Sequence, residues 1–191
     1  MMNEIDSIPR AYKGIVFRST LEASWAIMFD RLGWSWQYEP FRFPGWIPDF
    51  VIAEKILVEV KPNAELAEFV EYDKYNSATV STKFSSAEIL LLGEAPLPSG
   101  DLHKSPALGW LIERPNDQRH HGIIWDTALG YGIANDYSNW RCRITGAYEG
   151  GAGIVGADWK VIRQMWYDSC AEARNLDRAQ TPPWPDNYAQ Q

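Results

Sequence analysis

Four charged residues between Tyr12 and Pro62 have types and spacings that can do chemistry. Asp49 follows Pro48, nine residues separate it from Glu59, and Glu59 and Lys61 flank Val60; Glu22 stands earlier in the chain. Register decides whether these groups meet, because side chains alternate faces along a strand. Residues 47–53 and 56–61 read as two arms of a hairpin closed by Ala53-Glu54-Lys55. An odd, three-residue loop sets Asp49 opposite Glu59, Val51 opposite Leu57 and Ile47 opposite Lys61, so the polar groups share one face. A two-residue turn at Glu54-Lys55 puts Asp49 on the other face. Pro48, Phe50, Ile52, Ile56, Val58 and Val60 then form a wholly apolar second face, fit to bury against a helix. Two carboxylates a few ångströms apart repel unless a cation neutralises them, and hard oxygen ligands suit Mg²⁺ or Mn²⁺. A neighbouring lysine can orient or deprotonate the attacking water or stabilise charge on a phosphate, while the metal acts as Lewis acid. Phosphodiester hydrolysis is the reaction this set serves best.

At these residues the sequence resembles the PD-(D/E)xK nuclease superfamily. Pro48-Asp49 and Glu59-Val60-Lys61 match its signature literally, and Glu22, in a helix ahead of the hairpin, matches the additional acidic residue of many members. The stretch Phe17-Arg18-Ser19-Thr20-Leu21-Glu22-Ala23, with Tyr38-Glu39-Pro40 and Trp46-Ile47-Pro48-Asp49-Phe50, looks most like small phage-type endonucleases and the related transposon-end nuclease and junction-resolvase branches. The likeness covers the first half of the chain. It implies a restriction-endonuclease-like αβββαβ core and Mg²⁺-dependent endonucleolytic cleavage of DNA, with Mn²⁺ as substitute. Carried across, Asp49, Glu59 and the Val60 carbonyl are metal ligands, Lys61 is the catalytic lysine, and Glu22 is an accessory ligand or water orienter. DNA is the implied partner, in a homodimer or a larger phage or mobile-element nucleoprotein complex.

Each residue also has a plainer reading. Glu-x-Lys occurs by chance on surface strands, Asp49 can simply begin a strand, and Glu22 can serve as the third residue of a helix capping box. Glu39 reads as an exposed edge charge in preference to a further ligand. A non-catalytic DNA-binding or assembly subunit that keeps the nuclease fold is the alternative function.

Arg10, Lys13 and Arg18 gather just before the first helix and are candidate DNA contacts, Arg18 near a helix N-terminus that favours phosphate. Lys74, in the helix after the catalytic strand, and Lys83 can track a backbone; Arg141, Arg143 and Trp140 read as ordinary surface. Eighteen Lys and Arg against 25 Asp and Glu give a net charge of −7. That sign excludes coating of nucleic acid through bulk charge, and leaves local patches or metal ions. Ten tryptophans, among them Trp25, Trp34, Trp36 and Trp46, point to an aromatic core, with an exposed sugar-binding platform as the alternative.

The elements that must position the site are partly marked. Residues 19–33 read as a helix: Ser19-Thr20-Leu21-Glu22 fits the capping box, Leu21, Trp25, Met28 and Leu32 recur at helical spacing, and Gly33 stands where a terminating glycine belongs. Residues 34–43 look extended up to Phe43-Pro44-Gly45, a turn signal. A second helix is expected from Pro62 to about residue 78, and Ile89-Leu90-Leu91-Leu92 reads as a strand covered on both faces and ended by Gly93. Strands are expected at 109–113 and 122–126, no element over 127–157, and a last helix at 158–176 capped by Asp158. The tail, at about 181–191, is proline-rich and reads as extended or mobile.

With 191 residues, 46% hydrophobic and 23% charged, the chain is expected to form one α/β domain: a catalytic core at about 12–95, a C-terminal elaboration at about 96–180, and a tail. No apolar run approaches the ~20 residues of a membrane helix. The acidic Met-Met-Asn-Glu-Ile-Asp-Ser start lacks the apolar core of a secretory signal, and Cys142 and Cys170 make no disulfide framework, so a cytoplasmic location is expected. Gly151-Ala152-Gly153-Ile154-Val155-Gly156 fits a dinucleotide fingerprint but follows no clear strand, and His120-His121 lack zinc-ligand spacing; both read as loop.

Overall fold

Ser19 begins the first helix by local chemistry. Its backbone is extended (φ −139°, ψ 157°) and its Oγ accepts the Glu22 N–H at 3.1 Å, satisfying one of the orphan donors of the first turn. Helix α1 runs from Thr20 to Arg31 and ends in a Schellman motif. Gly33, at φ 72°, donates to the Asp30 carbonyl at 3.0 Å, and Trp34 N–H donates to the Phe29 carbonyl at 2.9 Å. Phe29 and Trp34 stack at 5.9 Å, the apolar contact that accompanies this motif. Residues 23–29 are all buried, so α1 is covered on every side rather than along one stripe.

In a computed structural model of the chain, the described residues are 8–52, 54, 56–62, 88–97, 107–112, 126–129, 132–133 and 159–179. They form a mixed α/β structure. Before α1, β1 (Arg10–Tyr12) and β2 (Ile15–Phe17) pair as a small hairpin. Lys13 and Gly14 turn between them with φ 50° and 77°, the two positive angles of a type I′ turn.

After α1 a mixed sheet is laid down in the order β3 (Trp36–Tyr38), β4 (Phe50–Ile52), β5 (Ile56–Val60), β6 (Glu88–Leu97), β7 (Ala107–Ile112), β8 (Asp126–Leu129) and β9 (Gly132–Ile133). Neighbours are antiparallel except β5 and β6, which run parallel. The second helix expected from Pro62 lies, beyond Pro62 itself, outside the described residues.

Several expectations are corrected. The extended stretches at 34–43 and 47–53 shrink to three-residue strands, because Glu39 adopts φ 44° and the chain turns at 43–46. Gly93 does not end its strand. Residues 89–92 are buried as expected, yet β6 continues to Leu97 through a register shift after Leu92, and the Gly93 carbonyl accepts the Trp25 indole at 2.9 Å. β8 and β9 fall largely where the sequence suggests no element. Gly109 in β7 meets β6 so closely that a Cβ there would stand 2.0 Å from the Leu91 carbonyl oxygen, a reason for glycine that no local pattern announces.

The last helix, α2 (Trp159–Asn175), packs along α1, with Trp25 and Trp166 at 4.4 Å. One core cluster joins Ile162, Trp166 and Ala173 of α2 to α1, Phe17, Phe50, Ile52, Val58, Val60 and Leu90. Trp25, Trp34, Trp46 and Trp166 are buried, which removes them from the sugar-platform reading. Among the described residues, no helix is long and apolar enough to cross a membrane.

Candidate active site

The hairpin register matches the odd-loop alternative. Phe50 pairs with Val58, Val51 with Leu57 and Ile52 with Ile56, with Glu54 in the loop at φ 59°. Continued by one residue, this register sets Asp49 across from Glu59, and both side chains are buried, 5% and 6% exposed. The apolar partners Phe50, Ile52, Ile56, Val58 and Val60 turn to the opposite face and join the core with α1. One face thus anchors the hairpin while the other holds the carboxylates.

Each carboxylate carries two different donors. Asp49 Oδ2 accepts the Val60 backbone N–H at 2.7 Å and its Oδ1 meets Arg18 Nη2 at 3.1 Å. Glu59 Oε2 accepts the Trp46 indole N–H at 2.8 Å and its Oε1 meets Lys61 Nζ at 2.5 Å. Trp46 reaches Glu59 from a tight turn in which Phe43 and Trp46 exchange both backbone hydrogen bonds, 2.8 and 3.1 Å. Gly45, at φ 74°, supplies the left-handed third position of a type II turn after Pro44, and the Phe43 and Trp46 rings stack at 5.7 Å. Lys61 is anchored by its own N–H on the Leu92 carbonyl at 2.9 Å, while its side chain stays half-exposed.

Glu22 approaches from the start of α1. Its Oε1 accepts the Ser19 hydroxyl at 2.8 Å, and its Oε2 accepts the Tyr38 hydroxyl and the Arg18 N–H, the latter at 3.2 Å. A capping-box glutamate ordinarily returns to the N-cap N–H; this one reaches one residue further back and ties in β3 through Tyr38. Arg18, just ahead of the cap, sends Nη2 to both Glu39 and Asp49. Glu39 is therefore a partner of Arg18 inside the cluster, which corrects its reading as an exposed edge charge.

Asp49, Glu59, Glu22 and Glu39 stand against Arg18 and Lys61, with Arg42 also acting on Glu39, so the carboxylates outnumber the cations around them. Burial pushes Asp49 well above the usual carboxylate range, and the charges of Glu59 and Glu22 push it further. Burial likewise raises Glu39, with Arg18 opposing and Glu22 adding to the rise. For Lys61, burial alone disfavours the ammonium, but Glu59 and Asp49 outweigh it and hold the pKa above its ordinary value. Burial, then Glu22, keeps the Tyr38 phenol protonated far above its usual range.

The candidate DNA contacts separate. Arg10 is buried, with Nε on Thr20 Oγ1 at 3.1 Å and Nη1 on the Leu176 carbonyl at 2.6 Å, so it ties the first hairpin to the end of α2 and is unavailable to a phosphate. Lys13 pairs with Asp30 at 2.9 Å, near the end of α1 away from Glu22, about 12 Å along the helix axis. Arg18 lies in the acidic cluster and offsets part of its charge through Glu39 and Asp49. Lys74, Lys83, His120, His121, Arg141, Cys142, Arg143, Asp158 and the glycines of 151–156 lie outside the described residues.

Trp46 and Tyr38 are the site residues that sequence reasoning missed. The available signal was their place in the same stretch, Trp46 two residues before Pro48 and Tyr38 beside Glu39. Among the described residues no three His, Cys, Asp or Glu side chains form a ready-made metal cage. Asp49 and Glu59 nonetheless fit Mg²⁺ in donor chemistry, since that ion commonly binds through one or two carboxylates and completes its shell with waters and substrate phosphate. Comparison of the chain with protein-family models, curated proteins and solved structures returned no match.

Proposed function

We propose that the protein is a metal-dependent endonuclease that hydrolyses DNA phosphodiester bonds, built on a restriction-endonuclease-like core of the PD-(D/E)xK type and serving a phage or mobile element. The observation that carries this reading is the pairing of two buried carboxylates, Asp49 and Glu59, by the odd hairpin loop, with Lys61 directly on Glu59. Burying like charges side by side is costly, and a fold retains such an arrangement where a cation is meant to join it.

In this reading Asp49, Glu59 and the Val60 carbonyl hold Mg²⁺, with Mn²⁺ as substitute. When bound, the ion supplies a Lewis acid for the phosphate and lowers the pKa of a coordinated water. The Val60 N–H and the Trp46 indole orient the two carboxylates by fixing one oxygen of each. Lys61, kept as an ammonium, orients the attacking water and offsets charge developing on the phosphate. Glu22 positions Arg18 and Tyr38 at the rim, a supporting role with no direct hold on the metal.

The second reading, a non-catalytic DNA-binding or assembly subunit, draws on one observation: Arg18 and Lys61 already neutralise part of the cluster. One experiment separates the two. Purified protein is incubated with supercoiled plasmid and a four-way junction in Mg²⁺, Mn²⁺ or EDTA, beside Asp49→Ala and Lys61→Ala. Metal-dependent cutting that disappears in both variants is the expected result. A folded wild type that cuts neither DNA with either metal overturns the nuclease reading in favour of the subunit.

A further inference from the structure

Asp49 and Glu59 share a pattern that extends the metal-dependent reading and rests on it. In each, one oxygen is fixed by a neutral N–H and the other is held by a cation. Asp49 Oδ2 takes the Val60 N–H at 2.7 Å and Glu59 Oε2 takes the Trp46 indole at 2.8 Å, donors anchored in backbone and in a buried ring. Asp49 Oδ1 and Glu59 Oε1 are held instead by Arg18 at 3.1 Å and Lys61 at 2.5 Å, on flexible stems that reach the surface. The oxygens open to exchange are therefore the two now occupied by positive charge.

Arg18 also has somewhere to go. The same Nη2 that meets Asp49 contacts Glu39, and the Arg18 backbone N–H is bound to Glu22 and to the Tyr38 hydroxyl, each at 3.2 Å. Its main chain is thus fixed while its guanidinium spans two carboxylates, only one of which belongs to the metal pair, and interacts with the Tyr38 hydroxyl as well. A guanidinium carries its charge at any working pH, so Arg18 is a standing counter-ion for Asp49 whenever that carboxyl is ionised, until another cation takes its place.

We propose that metal entry is an exchange of cations in which Arg18 is the resident counter-ion of Asp49, withdraws when a divalent cation binds, and is retained beside the site by Glu39. Arg18 is thereby a positioning residue that keeps the metal-free cluster folded and sets the metal affinity. Once withdrawn, it stands beside Lys61 as positive charge available to the substrate phosphate.

The test is Mn²⁺ binding to the full chain by isothermal titration calorimetry, with wild type, Arg18→Met and the distant control Lys13→Met. It is joined by NMR of the Arg18 guanidinium in the wild type during a Mg²⁺ titration. Exchange predicts that Arg18→Met tightens Mn²⁺ binding by about tenfold or more, and that Lys13→Met, a screened surface charge, changes it by less than about twofold. It also predicts that Arg18 guanidinium rotation is slow without metal and quickens as Mg²⁺ saturates. Equal affinity of wild type and Arg18→Met, or a guanidinium unchanged at saturation, overturns the exchange alone. Absence of binding heat in every protein overturns the metal reading itself. The NMR arm needs no substitution and decides the question even if Arg18→Met does not fold.

Discussion

Asp49 is pushed toward its protonated form by burial, then by the charges of Glu59 and Glu22. The folded protein consequently binds that proton more tightly than the unfolded chain does. Stability falls with rising pH wherever the folded state holds the extra proton, so in EDTA the Asp49 contribution is greatest below the usual carboxylate range and declines as pH rises through and above it. Asp49→Asn keeps an acceptor for the Val60 N–H and lacks this decline. At pH 7 in EDTA its melting temperature is expected to equal or exceed that of the wild type, while the stabilisation by Mn²⁺ that the proposed reading expects of the wild type disappears. A loss of more than about 4 °C in EDTA, on the order of 1–2 kcal/mol for a chain of this size, counts against the account. At this scale Asp49, Glu59, Lys61 and Glu22 were legible because a two-residue period and a capping box are local patterns. Arg18 was legible as a charge but not as a partner of Asp49, since an ion pair closed by the fold leaves no periodic trace.

The β1–β2 hairpin is pinned to α1 at Asp30, which accepts the Tyr12 hydroxyl at 2.9 Å and the Trp36 indole at 3.2 Å and pairs with Lys13. Burial, then the hydrogen bond to Asp30 and the charges of Asp30 and Glu172, raise the Tyr12 phenol from the usual 10 to about 12. A phenol whose pKa rises on folding contributes stability that is complete below pH 10 and is lost as pH climbs through about 12. The stability difference between wild type and Tyr12→Phe, read from urea melts, should therefore be constant up to pH 10 and shrink toward zero by about 12. A difference that stays flat across this window sinks the assignment. The hairpin itself escaped the sequence reading because strands of three residues are too short to show a period, and Lys-Gly is a weak turn signal. Helix α1 was fully legible, since its cap and Schellman glycine act within one turn of the chain. Gly93 misled for the opposite reason: pairing with β5 stops at Leu92, but β7 pairs again at Leu97 beyond a register shift, and the Trp25 indole holds the Gly93 carbonyl between them.

The molecule as a whole carries a net charge of −7, and within the carboxylate cluster Arg18 and Lys61 are paired with its members while Arg42 acts on Glu39. The periodicity of α2 was visible in sequence, but its packing on α1 through Trp25 and Trp166 was not, because contacts between distant segments leave no local signature. The same distance hides how charge is distributed over the assembled surface, so under the proposed nuclease reading the net charge of the chain is the guide to how it would meet DNA. A polyanion approaching this surface meets repulsion unless a divalent cation bridges phosphate and carboxylate. For Lys61→Ala, which the proposed reading expects not to cleave, duplex or junction DNA measured by fluorescence anisotropy should bind at least about tenfold more tightly in Mg²⁺ than in EDTA. In EDTA the dependence on salt should be shallow, equivalent to fewer than about three phosphates neutralised. Tight binding in EDTA with a steep salt slope would mean that a basic surface holds the backbone by itself. The acidic cluster would then lie apart from the phosphate path, and its burial of like charge would have to be explained by folding alone.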